Sequence, residues 1–499
     1  MTQERTEQET RREFDRREFL KLAGLGAGGV IVLVACGTGE PGTATTSAGA
    51  ATGPTGAGGP ATAVPGKEVT LLYVSNLAEY TTSYRQLFDV FEDQYPGIKV
   101  ELETFNEDTE GAYLARVAGG LLPAMEELPD NSGRRINKDN YLEYVNLSET
   151  TFPWFDRWTY DVKNEWADTF GLPGPRSLSP FQGIIVSFVY HKDVMDRYGW
   201  DPQNDVKTLD DLETFLDDLE AKVADDPEIN LAWDRAWVNG FMYLRYMNLV
   251  PVAFPDGTRE RQTDCWMGRA KFNAPDSPYR HTFEYTKEAL ARGWNKDNWW
   301  NRSWEGDMES EFIAKKTAMV IHGPWIFDKA LAADPSLELR GFPFPSVDGK
   351  KTILHMEAPL TDAGTVIRAG NEETDYWAET QEMFNWFFSP ETTEARAQIE
   401  GRGLVYKLDE PLDLQAPQHQ FLVKLLGKPP FENVVLDNGP WGAQRAAPFQ
   451  ISGSPGPWDV GGGSFNDTFI AAIKGDITIQ EALDVAQANW DKSYEGLPA

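Results

Sequence analysis

Between residues 68 and 105 the spacing of apolar positions changes twice. Glu68 to Val74 reads EVTLLYV, a short apolar run with strand character. Tyr84 to Tyr95 then places Leu87, Phe88, Phe91 and Tyr95 at helical spacing, and Pro96-Gly97 stops that helix. From Ile98 to Phe105 the pattern alternates, with Ile98, Val100 and Leu102 on one side, which predicts a second strand. Strand, helix and strand in so short a stretch make a βαβ unit and imply a parallel sheet. Ligands of open α/β sheets bind beyond the C-terminal ends of the strands. That rule sets Ser75, Asn76, Glu79 and Tyr80 beside a candidate cleft. A second stretch of this kind opens at Ile184 to Tyr190 (IIVSFVY). Thr208 caps a predicted helix with Asp210 and Asp211 in its first turn and Leu209, Leu212, Leu216 and Leu219 along one face. Further on, Thr478-Ile479-Gln480-Glu481 is a capping box, and its helix carries Ala482, Leu483, Ala486 and Trp490 on one side.

The first 66 residues follow other rules. Leu22 to Ala35 is apolar and rich in Gly, Ala and Val, but shorter than the roughly 20 residues a membrane-spanning helix needs. Behind a basic stretch it fits the apolar region of a signal peptide. Arg16-Arg17 followed by Phe19-Leu20-Lys21 resembles a twin-arginine export signal, and Leu33-Val34-Ala35-Cys36 resembles a lipobox whose cysteine becomes the lipidated first residue. Gly37 to Gly66 is nearly all Gly, Ala, Thr, Pro and Ser, the composition of a flexible tether. Residues 1–35 therefore read as a signal peptide and 36–66 as lipidated Cys36 plus tether. The expected location is the outer face of the cell membrane, held by the lipid anchor alone.

Composition narrows the function classes. A chain of 499 residues exceeds the size at which one core stops growing, so two packed units are expected. A net charge of −32 repels phosphate backbones and anionic headgroups, which argues against nucleic acid and against non-covalent membrane attachment. With Cys36 acylated, Cys265 has no partner for an internal disulfide. No Cys-x-x-Cys, His-Glu-x-x-His, P-loop, Gly-x-Ser-x-Gly or Ser-x-x-Lys pattern occurs, and His191, His281, His322, His355 and His419 are scattered. No catalytic residue, metal or cofactor is expected on these grounds.

The ordered segments of the body resemble the family 1 extracellular solute-binding proteins, the maltose-binding-protein-like sugar-binding lipoproteins of ABC transporters. Tyr73 to Val100 is similar to the family's opening strand, helix and strand, ending at Tyr95-Pro96-Gly97-Ile98. Val189-Tyr190-His191-Lys192-Asp193, Tyr198-Gly199-Trp200 and Lys207-Thr208 resemble a second family segment, with His191 in place of the usual Asn. Lys315-Lys316-Thr317-Ala318-Met319 and Gly323-Pro324-Trp325 resemble a third, with Lys315 where Gly is common. Gly475-Asp476-Ile477-Thr478 and Glu481-Ala482-Leu483 resemble the C-terminal one. The resemblance implies an α/β, two-lobed periplasmic-binding-protein-like fold of type II. Each lobe would be a mixed sheet flanked by helices, with hinge strands between. Lobe one is expected from 67–180 plus 356–408, and lobe two from 181–355 plus 409–499. It further implies a monomer that captures a mono- or oligosaccharide between the lobes and delivers it to ABC permease subunits.

Seventeen Trp residues suit that reading, because a sugar presents C–H faces to aromatic rings and hydroxyl edges to carboxylates and amides. Trp325 follows Gly323-Pro324, and the resemblance implies a sugar-stacking role there. Trp458 and the Gly461–Gly463 run, centred on Gly462, precede a predicted helix from Ser464 to Lys474 at a place where the family carries cleft residues. Trp441 after Gly439-Pro440, Trp233 and Trp237 four apart on one helix face, and Trp304 with Asp307 complete the aromatic candidates. Asn76, Glu79, Glu126 and Asp307 are the polar ones. Two other readings stay open: a secreted glycoside-acting enzyme using a carboxylate pair, and a binding protein for a non-sugar solute.

Overall fold

In the first sheet β1 (Val69–Ser75) lies between β2 (Ile98–Thr104) and β3 (Met125–Leu128), parallel to both. The computed structural model describes residues 68–75, 81–105, 107–128, 141–147, 173–178, 187–234, 249–266, 268–294, 301–323, 325–350, 352–355, 364–400, 414, 420, 435–437 and 464–494. The helix Thr81–Gln94 links β1 to β2 and buries Tyr84, Leu87, Phe88 and Phe91, the face its spacing predicts. Tyr84 and Phe88 close over Tyr73 of β1, which meets Phe88 edge-on at 5.0 Å between centroids. The sheet is completed from far along the chain. β10 (Gly364–Val366) runs antiparallel to β3, and Leu178 bridges to Thr365. The helix Trp377–Phe387 sends Phe387 against Tyr73 and Phe88, and Pro390–Glu400 follows it.

The second sheet departs from the parallel strand, helix and strand that the stretch opening at Ile184 to Tyr190 suggests. β4 (Ser187–His191) pairs antiparallel with both β6 (Thr317–His322) and β7 (Leu339–Phe342), and only β5 (Leu231–Asp234) runs parallel to β6. The helix Leu209–Ala224 thus leads into a strand that pairs with β6 and not with β4. Every residue of β6 is buried, as befits a central strand covered on both faces. Thr208 accepts the Asp211 N–H while the Asp211 side chain accepts the Thr208 N–H, the expected cap made as a full capping box. A third, small sheet joins β8 (Phe344–Pro345), β9 (Thr352–His355) and β11 (Val435–Asp437).

The C-terminal helices Ser464–Lys474 and Ile479–Tyr494 pack with the helix Arg280–Arg292 around a separate apolar cluster that includes Phe283, Phe469, Leu483 and Trp490. Thr478 and Glu481 form their predicted reciprocal cap. Cys265 is a free thiol sealed in this cluster, and burial pushes its pKa up to about 12. The two departures from the family pattern are neighbours. His191 is fully buried, with Nε2 2.8 Å from the Phe312 carbonyl. Lys315 takes a left-handed backbone (φ 58°), the conformation that favours the glycine common there, and its ammonium pairs with Asp193.

Candidate functional site

Two crossings set the geometry. β10 begins at Gly364, opposite Leu128 at the C-terminal end of β3, and the chain reaches it from His355 of β9. The other crossing leaves the first sheet at Leu178 and enters the second at Ser187, opposite His322 at the C-terminal end of β6. Nine residues span at most about 30 Å, so the C-terminal edges of the two sheets are held near each other.

On the second sheet that edge carries an aromatic and carboxylate cluster. Trp304 opens a π-helical turn, Trp304–Glu309, closed by the Met308 N–H donating to the Ser303 carbonyl at 3.1 Å. A π turn brings residues five apart together, where an α-helix would separate them. The Trp304 Nε1–H accordingly lies 2.7 Å from Glu309 Oε1 and 2.9 Å from His322 Nε2. His322 ends β6, and its imidazole touches two indoles, 4.8 Å from Trp325 and 5.7 Å from Trp304 between centroids. The two indoles are 6.1 Å apart and inclined at 60°. Trp325 starts the helix Trp325–Ala333, from which Lys329 donates to Glu309 Oε2 at 3.0 Å. Burial works to raise the pKa of Glu309, but the hydrogen bond and charge of His322, with Lys329, outweigh it and hold the carboxyl at about 2.

Among the described residues, Arg302 and Lys329 on this wall are matched by carboxylates. Arg302 donates to Asp234 at 2.6 Å, at the end of β5, and to Glu311 at 2.9 Å. Asp307 accepts from the Ser303 N–H at 2.7 Å and its hydroxyl at 2.9 Å, so one carboxylate oxygen closes the turn. Those bonds lower the pKa of Asp307. Trp304 is half-buried, whereas Trp325 is 6% exposed, with its ring laid back over Gly323.

Other candidates stand elsewhere. Trp233 is on strand β5, not on a helix face, and is buried at 2% against Phe188 because β5 is covered by the helix Leu209–Ala224. That location makes it part of the core. Glu126 is likewise sealed inside the first lobe. It accepts from Tyr113, and Arg368 Nε lies 2.9 Å away as an ion pair. Its neighbour Glu127 points to the opposite face of β3, accepting from Ser75 and from Tyr84 at 2.7 Å, with Arg396 donating to the Tyr84 hydroxyl at 3.0 Å. Asn76, Glu79, Trp237, Trp441, Trp458, Gly462, Arg16, Arg17 and Cys36 lie outside the described residues. Sequence reasoning missed Glu309, His322 and Lys329 as one unit. Their grouping depends on the i, i+5 spacing of a π turn, which no helical-period rule flags. Among the described residues no group of three or more His, Cys, Asp and Glu could hold a metal ion, and no helix is long and apolar enough to cross a membrane.

Two α/β halves, joined by crossings at their C-terminal edges, define a two-lobed solute-binding fold. The chain belongs to the bacterial extracellular solute-binding protein family, whose model matches residues 86–405. It is similar in structure to apo RafE from Streptococcus pneumoniae (TM-score 0.59, 15% identity, 87% of this chain and 100% of that one). The GacH receptor of Streptomyces glaucescens, solved unliganded and with acarbose, gives TM-score 0.58 at 14% identity, over 86% and 100% of the chains. A Bacillus licheniformis sugar transporter in complex with stachyose gives 0.54 at 13%, over 85% and 100%. No curated protein matches the chain in sequence.

Proposed function

We propose that the chain is the solute-capturing component of an ABC importer and that its solute is a neutral mono- or oligosaccharide. The observation that carries this reading is the wall at the end of β6, where Trp304 and Trp325 stand side by side and, among the described residues, Arg302 and Lys329 are already paired with carboxylates. Aromatic faces favour C–H-rich sugar rings, and cations already engaged by carboxylates are not available to hold an anion. Relatives of the same fold crystallised with raffinose, stachyose and acarbose support the class of ligand. In this reading Trp304 lines the second-lobe side by its open face and Trp325 by the small edge left exposed, and Trp237, Trp441, Trp458, Gly462, Asn76, Glu79 and the second carboxylate oxygen of Asp307 are further ligand contacts. The lobes divide at 67–180 plus 356–408 and 181–355 plus 409–499. Cys36 carries the lipid after export through the Arg16-Arg17 signal, a permease receives the solute, and the chain acts as a monomer that transforms nothing.

A thermal-shift panel of neutral sugars, sugar phosphates and peptides tests it. A ligand at a hundred times its Kd stabilises by about 2.7 kcal/mol. The expected result is such a rise with at least one neutral saccharide and no product in chromatography. A rise confined to anionic or peptide ligands would overturn the sugar assignment, and sugar cleavage would overturn the binding-only role.

A further inference from the structure

We propose that Glu309 is a positioning residue whose carboxylate fixes the angle of the Trp304 indole against Trp325, and so sets the shape of the sugar-facing wall. The inference rests on the functional reading above for its purpose, but not for its geometry.

Glu309 is 4% exposed, and its carboxylate is spent on partners inside the protein. Its two oxygens tie three elements together. Oε1 meets Trp304 Nε1 at the start of the turn and His322 Nε2 at the end of β6, and Oε2 meets Lys329 on the following helix. An indole has a single N–H donor, and that of Trp304 faces Glu309 Oε1 at 2.7 Å and His322 Nε2 at 2.9 Å, so the carboxylate, the nearer acceptor and itself 3.0 Å from that imidazole, holds the polar edge of the ring in place. Trp304 is half-buried, packed on one side against the core and against His322 and Trp325, so its polar edge is the part that a hydrogen bond must hold. The Trp325 ring is set from the other side, by His322 at 4.8 Å and by the bare Cα of Gly323. Removing the carboxylate would take the shorter of the two hydrogen bonds from the Trp304 indole and loosen the relative angle of 60° while both rings stayed in place.

The test begins without sugar. Indoles about 6 Å apart and inclined to one another couple their transitions, so the full-length protein should show a tryptophan exciton couplet in circular dichroism. Trp304→Phe should abolish that couplet and identify the Trp304 indole N–H resonance by its disappearance. Glu309→Ala should also abolish the couplet. Glu309→Gln, which keeps an acceptor, should retain it while moving the Trp304 N–H resonance upfield, and Lys329→Met should leave that resonance within the wild-type linewidth. With raffinose as first probe, Glu309→Ala should weaken binding about tenfold, the size of one well-made aromatic contact. In the Trp304→Phe background the same change should add little. An intact couplet in Glu309→Ala, or an unmoved resonance in Glu309→Gln, overturns the proposal. If Glu309→Ala does not fold, the Glu309→Gln resonance decides alone. Failure of raffinose and the whole sugar panel to bind would count against the sugar reading and leave the spectroscopic result standing.

Discussion

Gly323 carries no side chain, and the Trp325 indole occupies the space one would need: a Cβ built there would lie 1.6 Å from the ring's Cζ3. Gly323→Ala is therefore expected to push the indole off its seat, costing about 1–3 kcal/mol as an overpacked site does, read as a drop in urea midpoint with an altered tryptophan emission. His191 shows a different residue-scale constraint. Burial pushes its pKa down to about 4, against the Phe312 carbonyl, which favours the charged form. The folded protein thus resists a proton that the unfolded chain accepts from about pH 6.5 downward. Stability should be full above that pH and fall by up to about 3 kcal/mol as pH drops towards 4, at 1.36 kcal/mol per pKa unit. His191→Asn should flatten that part of a melting-temperature profile. Glu309 gives a second acid phase with the same sign. Its carboxylate is favoured in the fold, so its contribution is present above about pH 4.5 and lost as pH falls towards 2.

At the scale of elements, the clearest signals in the sequence were the caps. Thr208 with Asp211, and Thr478 with Glu481, each make both reciprocal bonds, and the leucines and alanines behind them are buried as their spacing demands. Thr208→Ala should cost about 1 kcal/mol, measured as a shift in denaturant midpoint at constant m-value. The first βαβ unit was equally legible, since its strands and helix are neighbours in both sequence and space. The second sheet was not. β4 has the apolar run of a parallel strand, yet its partners β6 and β7 come from residues 317–342, and their antiparallel direction leaves no trace in local periodicity. Trp233 was misplaced for a related reason. A spacing of four to Trp237 matches a helix face, but LAWD is a short buried strand, and burial on both faces hides the alternation that would mark it. The indole pair was half legible: Trp304 and Trp325 stood out as residues, while the carboxylate and imidazole beside them did not.

For the molecule as a whole, the long return of the chain into the first lobe is held by charge as well as by apolar packing. Arg396 is fully buried, with its guanidinium 4.3 Å from the Phe387 ring centroid and 4.0 Å from Glu127 Oε1. Arg368 pairs with Glu126 on the other face of the same strand. Removing one partner of a buried ion pair strands the other charge. Arg396→Met is expected to destabilise by about 3–5 kcal/mol, and the double change Glu127→Gln/Arg396→Met by less, in a double-mutant cycle of urea melts. Equal losses in the single and double variants would mean that Arg396 acts through packing alone.

The same arrangement has a consequence for how the polypeptide is made. Glu126 and Glu127 leave the ribosome early, while the arginines that neutralise them, and the strand that completes their sheet, are translated only after β4 to β9. A nascent chain cannot bury two lone carboxylates at that cost, so the half begun first is finished last. A chain terminated just before Gly364 should stay open to protease from Val69 to Leu128, whereas a circular permutant that starts at that glycine should acquire resistance there during synthesis.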